Sequence, residues 1–148
     1  MTRQIFLING PNLNLLGKRE PHIYGHDTLA DVEARCRAVA DEEGVAIDCR
    51  QSNYEGDLVS WIQEAREAAD AIIMNAGAYT HTSVAIHDAL KAYEGISVEL
   101  HVSNPHLREG FRHHSYIGLA VTAVVAGFGV ASYPHATRLV ARMIKEAR

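Results

Sequence analysis

Short, wholly apolar runs alternate with helix-period segments along the whole chain, and that alternation constrains the fold more than any other feature. Ile5-Phe6-Leu7-Ile8 runs into Asn9-Gly10-Pro11, and Ala71-Ile72-Ile73-Met74 runs into Asn75-Ala76-Gly77. Each reads as a strand buried on both faces and stopped by a turn. Val45 to Gln51 is a more polar strand, Ile96 to Val102 a fourth, and Leu119 to Val125 a fifth before Gly127 and Gly129. Between them, the segment from Asp27-Thr28-Leu29 to Glu43 has helical spacing, with Gly44 placed to end it. Asp57 is expected to cap a helix with Leu58, Trp61, Ile62, Ala65 and Ala69 on one stripe. A further helix is expected from about Ser83 to Tyr93, and Pro134 is expected to open the last one. Strands separated by helices require right-handed βαβ crossovers and a parallel sheet. The expected fold class is therefore α/β: a doubly wound, flavodoxin-like five-stranded parallel sheet with helices on both faces.

Residues 1–148 suit a single domain with one core. Hydrophobic residues make up 47% and charged residues 22%, an ordinary globular balance that argues against intrinsic disorder. No apolar run approaches the ~20 residues needed to cross a bilayer, so no membrane partner is expected. The net charge of −4 argues against nucleic acid, whose binders carry a basic surplus. Cys36 and Cys49 make no ligand-spaced pair, which fits free thiols and a cytoplasmic location.

In such a sheet, ligands bind beyond the carboxyl ends of the strands, and the unusual polar residues lie there. The first connection, from Asn9 to Gly25, contains Asn12, Lys18, Arg19 and Tyr24. It is not a phosphate cradle: six residues separate Gly10 from Gly17, and Arg19 stands where a Ser or Thr would follow the lysine. Its length and glycines suggest a lid over about residues 18–26. At the third strand end, Asn75 meets the pocket rim, and His81 is expected near a helix N-terminus, which favours the neutral imidazole. Asp88 follows on the same helix. On the fourth strand Glu99, His101 and Ser103 are spaced by two and share one face. A buried carboxylate there would orient the imidazole and favour its charged form. Arg108 and Arg112 lie four apart, one helical turn, and would reach a common neighbour.

These segments resemble the type II 3-dehydroquinate dehydratases over nearly the whole chain. The match is carried by NGPNLNLLGKREPHIYG at 9–25, EGDLVSWIQEA at 55–65, NAGAYTHTSVAIHDAL at 75–90, VELHVSN at 98–104 and REGFRHHSYI at 108–117. The resemblance implies anti elimination of water from 3-dehydroquinate through an enolate. Tyr24 would abstract the proton, Arg19 activate it, and His101 protonate the departing hydroxyl. Asn12 would hold a water against the enolate. Asn75, His81, Arg112 and the backbone around Val102 and Ser103 would bind the substrate. Asp88 would complete a neighbouring subunit's site, implying a homododecamer built as a tetramer of trimers. Pro105, Leu107, Gly110 and the Ser132-Tyr133-Pro134-His135 turn are less typical of the family.

The chemistry asks for such residues. A free tyrosine has a pKa of about 10, so roughly one in a thousand is ionised at neutral pH. A guanidinium at ~4 Å and an effective dielectric of ~20 supplies about 4 kcal/mol toward the phenolate. Arg19, with Arg108 as a second source, makes a metal and other cofactors unnecessary in magnitude. Lys18, Lys91 and Lys145 are the only lysines, and none lies on a core strand, so a Schiff base is not expected. Two rivals remain. A metal-dependent lyase could use Glu99, His101, His81 or Asp88, although no closed ligand motif such as HExxH is present. A flavodoxin-like binding module would need strand-end acids or a hydroxyl-rich phosphate loop, where this chain has Asn9, Pro11 and Asn12.

Overall fold

The computed structural model describes residues 2–147. In chain order they form β1 (Gln4–Asn9), a short helix α1 (Pro21–Tyr24), α2 (Leu29–Glu43), β2 (Ala46–Gln51), α3 (Glu55–Ala68), β3 (Ala71–Asn75), α4 (Val84–Lys91), β4 (Ile96–His101), β5 (Ala123–Ala126) and α5 (Ser132–Glu146). The strands make one sheet in the order β2-β1-β3-β4-β5, and every neighbouring pair is parallel. That is the doubly wound, flavodoxin-like arrangement expected from the alternation.

Two apolar layers cover the sheet. Ile5, Leu7, Ile73, Val98 and Leu100 pack with α2 and α5, while Phe6, Ile8, Ile72 and Met74 pack with α3 and α4. Alternate residues of each central strand thus go to opposite layers, which is why Ile5–Ile8 of β1 and Ala71–Met74 of β3 are apolar at every position. α2 begins with a reciprocal cap, Thr28 accepting from the Asp31 amide and Asp31 accepting from the Thr28 amide. It ends at Gly44 in the left-handed conformation, as its sequence requires.

Several boundaries differ from expectation. Asp57 does not cap α3: the helix starts two residues earlier, and Asp57 sits in its first turn, accepting from Ser52 Oγ. Ser52 Oγ in turn accepts from the Tyr54 amide and so satisfies that turn. α4 is shorter than expected, capped by Ser83, whose Oγ accepts from the Ile86 amide. α5 starts at Ser132 rather than Pro134, because the first-turn amides have no intrahelical acceptor and a proline is tolerated there. β5 is confined to four residues. The stretch Gly118–Ala120 is instead a 3-10 turn, and Gly118 comes so close to Glu99 that a Cβ would meet its Oε1 at 2.9 Å.

Candidate active site

A cleft opens beyond the carboxyl ends of β1, β3 and β4. It is lined by residues from three connections, with Asn12, Arg19 and Tyr24 from the first, Asn75 and His81 from the second, and His101 to Ser103, Arg108 and Arg112 from the third. Gly10 lets the first two connections pack together. A Cβ on it would lie 2.6 Å from the Ala76 carbonyl oxygen, so no side chain is tolerated at this close approach.

On β4, His101 Nε2 donates to Glu99 Oε2 at 2.6 Å, and Ser115 Oγ donates to the same carboxylate oxygen at 2.8 Å. The backbone amides of Ile117 and Gly118 donate to Ser115 Oγ, at 3.1 and 2.9 Å, and fix its hydroxyl. Burial of Glu99 works to raise its pKa. The bonds from His101 and Ser115 outweigh that, and the carboxyl sits below its ordinary range. A carboxylate held in this way orients the imidazole by one ring nitrogen and leaves the other for a ligand. Strand spacing anticipated the pair, but nothing in the spacing pointed to Ser115.

Tyr24 ends α1 and approaches from the other side of the chain. Arg108 NH1 donates to its phenolic oxygen at 2.7 Å and lies 3.5 Å from Ser103 Oγ. Arg19 is not on the oxygen. Its guanidinium stands 5.2 Å from the ring centroid and pairs with Glu20 at 3.3 Å. The direct contact to the phenol therefore comes from a residue 84 positions away, which loop adjacency could not indicate. The loop itself is pinched at its base, where Gly17, at φ +86°, comes within van der Waals distance of the 26–27 backbone. A Cβ there would lie 2.7 Å from the His26 oxygen.

Asn12 adopts a left-handed conformation, φ 70°, uncommon for a side-chain-bearing residue. Its amide donates to Asn53 Oδ1 at 3.0 Å. His81 Nδ1 lies 2.9 Å from the His114 carbonyl oxygen, so Nδ1 carries the proton and Nε2 is the acceptor in the neutral ring. Its pKa is lowered, as expected, but chiefly by burial; α4 starts only at Val84. Arg108 and Arg112 both line the cleft, although the segment forms 3-10 turns, at Pro105–Leu107 and Gly110–Arg112, instead of a helix. Arg112 Nε donates to Glu109 at 2.7 Å. Asp88 does not join the cleft. It lies exposed on α4, beside Val59, Gln63 and Arg66 in a groove with α3.

A link that the sequence does not reveal, through Tyr133 to Asn9, underpins Asn75. Tyr133, fully buried at the start of α5, donates to Asn9 Oδ1 at 2.6 Å and accepts from Asn75 Nδ2 at 2.9 Å. The only sequence signal was that two asparagines each close a buried apolar run.

A parallel α/β sheet with a phenol–guanidinium pair and a carboxylate–imidazole pair in one strand-end cleft defines a class of proton-transfer enzymes. The family model for class II dehydroquinases matches residues 3–141, and the chain belongs to that family. It is 59% identical over 138 residues to a 3-dehydroquinate dehydratase of Cereibacter sphaeroides, covering 93% of this chain and 94% of that one. It is 53% identical over 146 residues to a 3-dehydroquinate dehydratase of Brucella canis, covering 99% and 93%. Among solved structures, a type II dehydroquinase from Propionibacterium acnes superposes with a TM-score of 0.92 at 39% identity, over 96% of this chain and 98% of that one.

Proposed function

We propose that this chain removes water from 3-dehydroquinate by anti elimination through an enolate, giving 3-dehydroshikimate, with Tyr24 as base and His101 as acid. The observation that carries this reading is the pairing of each group with a partner suited to its role. The Arg108 guanidinium sits on the phenolic oxygen at 2.7 Å, and positive charge there stabilises the anion formed when the phenol gives up its proton. A second guanidinium, that of Arg19, faces the ring. Activation of the phenol is assigned to Arg19 together with Arg108, which in this arrangement is the one bonded to the oxygen.

The Glu99 carboxylate engages His101 Nε2, so Nδ1 is the nitrogen assigned to carry the proton delivered to the leaving hydroxyl. Asn12 is assigned a water held against the enolate oxygen. Asn75, His81, Arg112 and the Val102–Ser103 backbone are assigned the substrate's hydroxyls and carboxylate. Arg112 supplies the positive charge that a carboxylate prefers. Among the described residues no lysine lines the cleft, which supports chemistry without a Schiff base. Glu99 and His101 bond to each other, His81 bonds to the His114 carbonyl and Asp88 lies outside the cleft, and among the described residues no three His, Cys, Asp or Glu side chains form a group that could hold a metal ion.

Residues 1–148 are assigned to a single catalytic domain with residues 18–26 as its lid, and the protein to the cytoplasm. Among the described residues no helix is long and apolar enough to cross a membrane, and both cysteines are free. The assembly is assigned as a homododecamer, a tetramer of trimers, with Asp88 reaching a neighbour's site. An edge strand, β5, and exposed Leu107, Phe111, Leu119, Val124 and Phe128 support association.

The test is to add 3-dehydroquinate to the purified protein and follow enone absorbance, with chelator and with borohydride in parallel. Turnover is expected to survive both treatments. His101→Ala is expected to lose about a thousandfold in kcat with an unchanged circular dichroism spectrum. No enone from the parent protein overturns the reaction, and full turnover by His101→Ala overturns the acid.

A further inference from the structure

Asn9 and Asn75 close β1 and β3 as a register pair, so both side chains project to the layer occupied by α5. Tyr133 bridges them, and the direction of each bond follows from donor chemistry. The Gly77 amide can only donate, so the Asn75 atom 3.1 Å from it is the oxygen, and Nδ2 must face Tyr133. Tyr133 has a single proton, committed to Asn9 Oδ1, and therefore accepts from Asn75. Of the two Nδ2 hydrogens, one is taken, and the other remains for the cleft that Asn75 lines. The relay is shielded from solvent, with Tyr133 and Asn9 fully buried and Asn75 5% exposed. Burial pushes the Tyr133 phenol up, so it keeps its proton, and the sense of the relay, throughout the working pH range.

We propose that Tyr133 is a positioning residue for substrate binding, setting the plane of the Asn75 amide so that its remaining N–H addresses a substrate oxygen. The inference rests on the reading of Asn75 as a substrate-binding residue. An amide free to rotate by a half-turn would present its oxygen to the same point, where a carboxylate or a hydroxyl lone pair would meet repulsion instead of a donor. Asn75 is thus useful only if its orientation is fixed, and Tyr133 with Gly77 fixes it from both ends.

Tyr133→Phe keeps the ring and removes the acceptor. We expect its KM for 3-dehydroquinate to rise about fivefold, the loss of roughly one hydrogen bond, with kcat within about twofold. Asn75→Ala is expected to raise KM by at least as much, and the double variant to match Asn75→Ala, because the two residues act as one. Asn9→Ala, which leaves the phenol but strips its acceptor, gives a smaller rise in KM and serves if Tyr133→Phe folds poorly. A normal KM for Tyr133→Phe and Asn9→Ala, or factors that multiply in the double variant, overturns the proposal and leaves Tyr133 a scaffold group. A normal KM for Asn75→Ala overturns the reading of Asn75 itself, and the proposal falls with it.

Discussion

The two halves of the cleft are built by different means. The histidine half stands on the sheet: Glu99 is 3% and His101 9% exposed, and Ser115, which donates to Glu99, is itself anchored by two backbone amides. The tyrosine half rides on a loop, where the Arg19 side chain is 37% exposed and its acid partner, Glu20, is a neighbour in sequence with a left-handed backbone. Among the described residues only Arg108, from the β4–β5 connection, ties Tyr24 to the rigid half through a side-chain bond. The difference teaches that the acid is prepositioned by the fold, whereas the base is placed by one long-range guanidinium and by whatever closes the loop. Loops can be reordered by a ligand at modest cost, and sheet ends cannot.

The largest effect tests the loop half as a whole. Tyr24→Phe removes one oxygen from a half-buried ring, so stability should change little, while kcat falls by about a thousandfold or more. Steady-state kinetics beside a thermal melt reads both. Turnover near the parent's would mean that the histidine half suffices alone, and the comparison would dissolve. The next effect separates the two guanidinium groups. Arg108→Ala should lower kcat about a hundredfold, and Arg19→Ala about tenfold, since a hydrogen-bonded charge at the oxygen outweighs one over the ring face. The reverse order would show that substrate brings Arg19 onto the oxygen and that loop closure, more than the arrangement described above, sets the base.

The same division explains what the sequence disclosed. The sheet was legible because Ile5–Ile8 and Ala71–Met74 are apolar at every position, which only a strand covered on both faces requires. Glu99 and His101 were legible because a spacing of two on such a strand admits one geometry. Long-range partners were not. The sequence offers Arg108 only as a second source of charge beside Arg19; that its guanidinium is the one bonded to the Tyr24 oxygen is not legible, because loop adjacency says nothing of which side chain reaches across a cleft. Tyr133 was hidden for a similar reason. A tyrosine in a first helical turn is unremarkable until the ends of β1 and β3 are known to lie beneath it. Asp57 failed as a cap because α3 starts two residues earlier, at a turn served by Ser52 Oγ, and the β5 boundary failed because Gly118–Ala120 folds as a 3-10 turn.

The smallest effect separates the site from its scaffold through acid stability. At the far end of the sheet the Lys145 ammonium, with Arg138 and Arg142, holds Glu43 at about 2, against an ordinary value of 4.5. A carboxyl depressed on folding contributes stability that is complete above its unfolded value and is lost as pH falls toward the folded one. The Glu43 contribution should therefore fade between about pH 4.5 and 2. Glu99, also depressed, adds a loss of the same sign in acid. Glu43→Gln should accordingly flatten the fall in melting temperature across that window, by a few tenths of a pH unit in the unfolding midpoint, and leave kcat untouched. Glu99→Gln should flatten it too, but with a loss of turnover, because its carboxylate also orients the acid. If both variants kept full activity, the Glu99–His101 pair would be no different in kind from the ion cluster around Glu43. The rigid half of the cleft would then be scaffold, and the chemistry would have to be sought entirely on the loop.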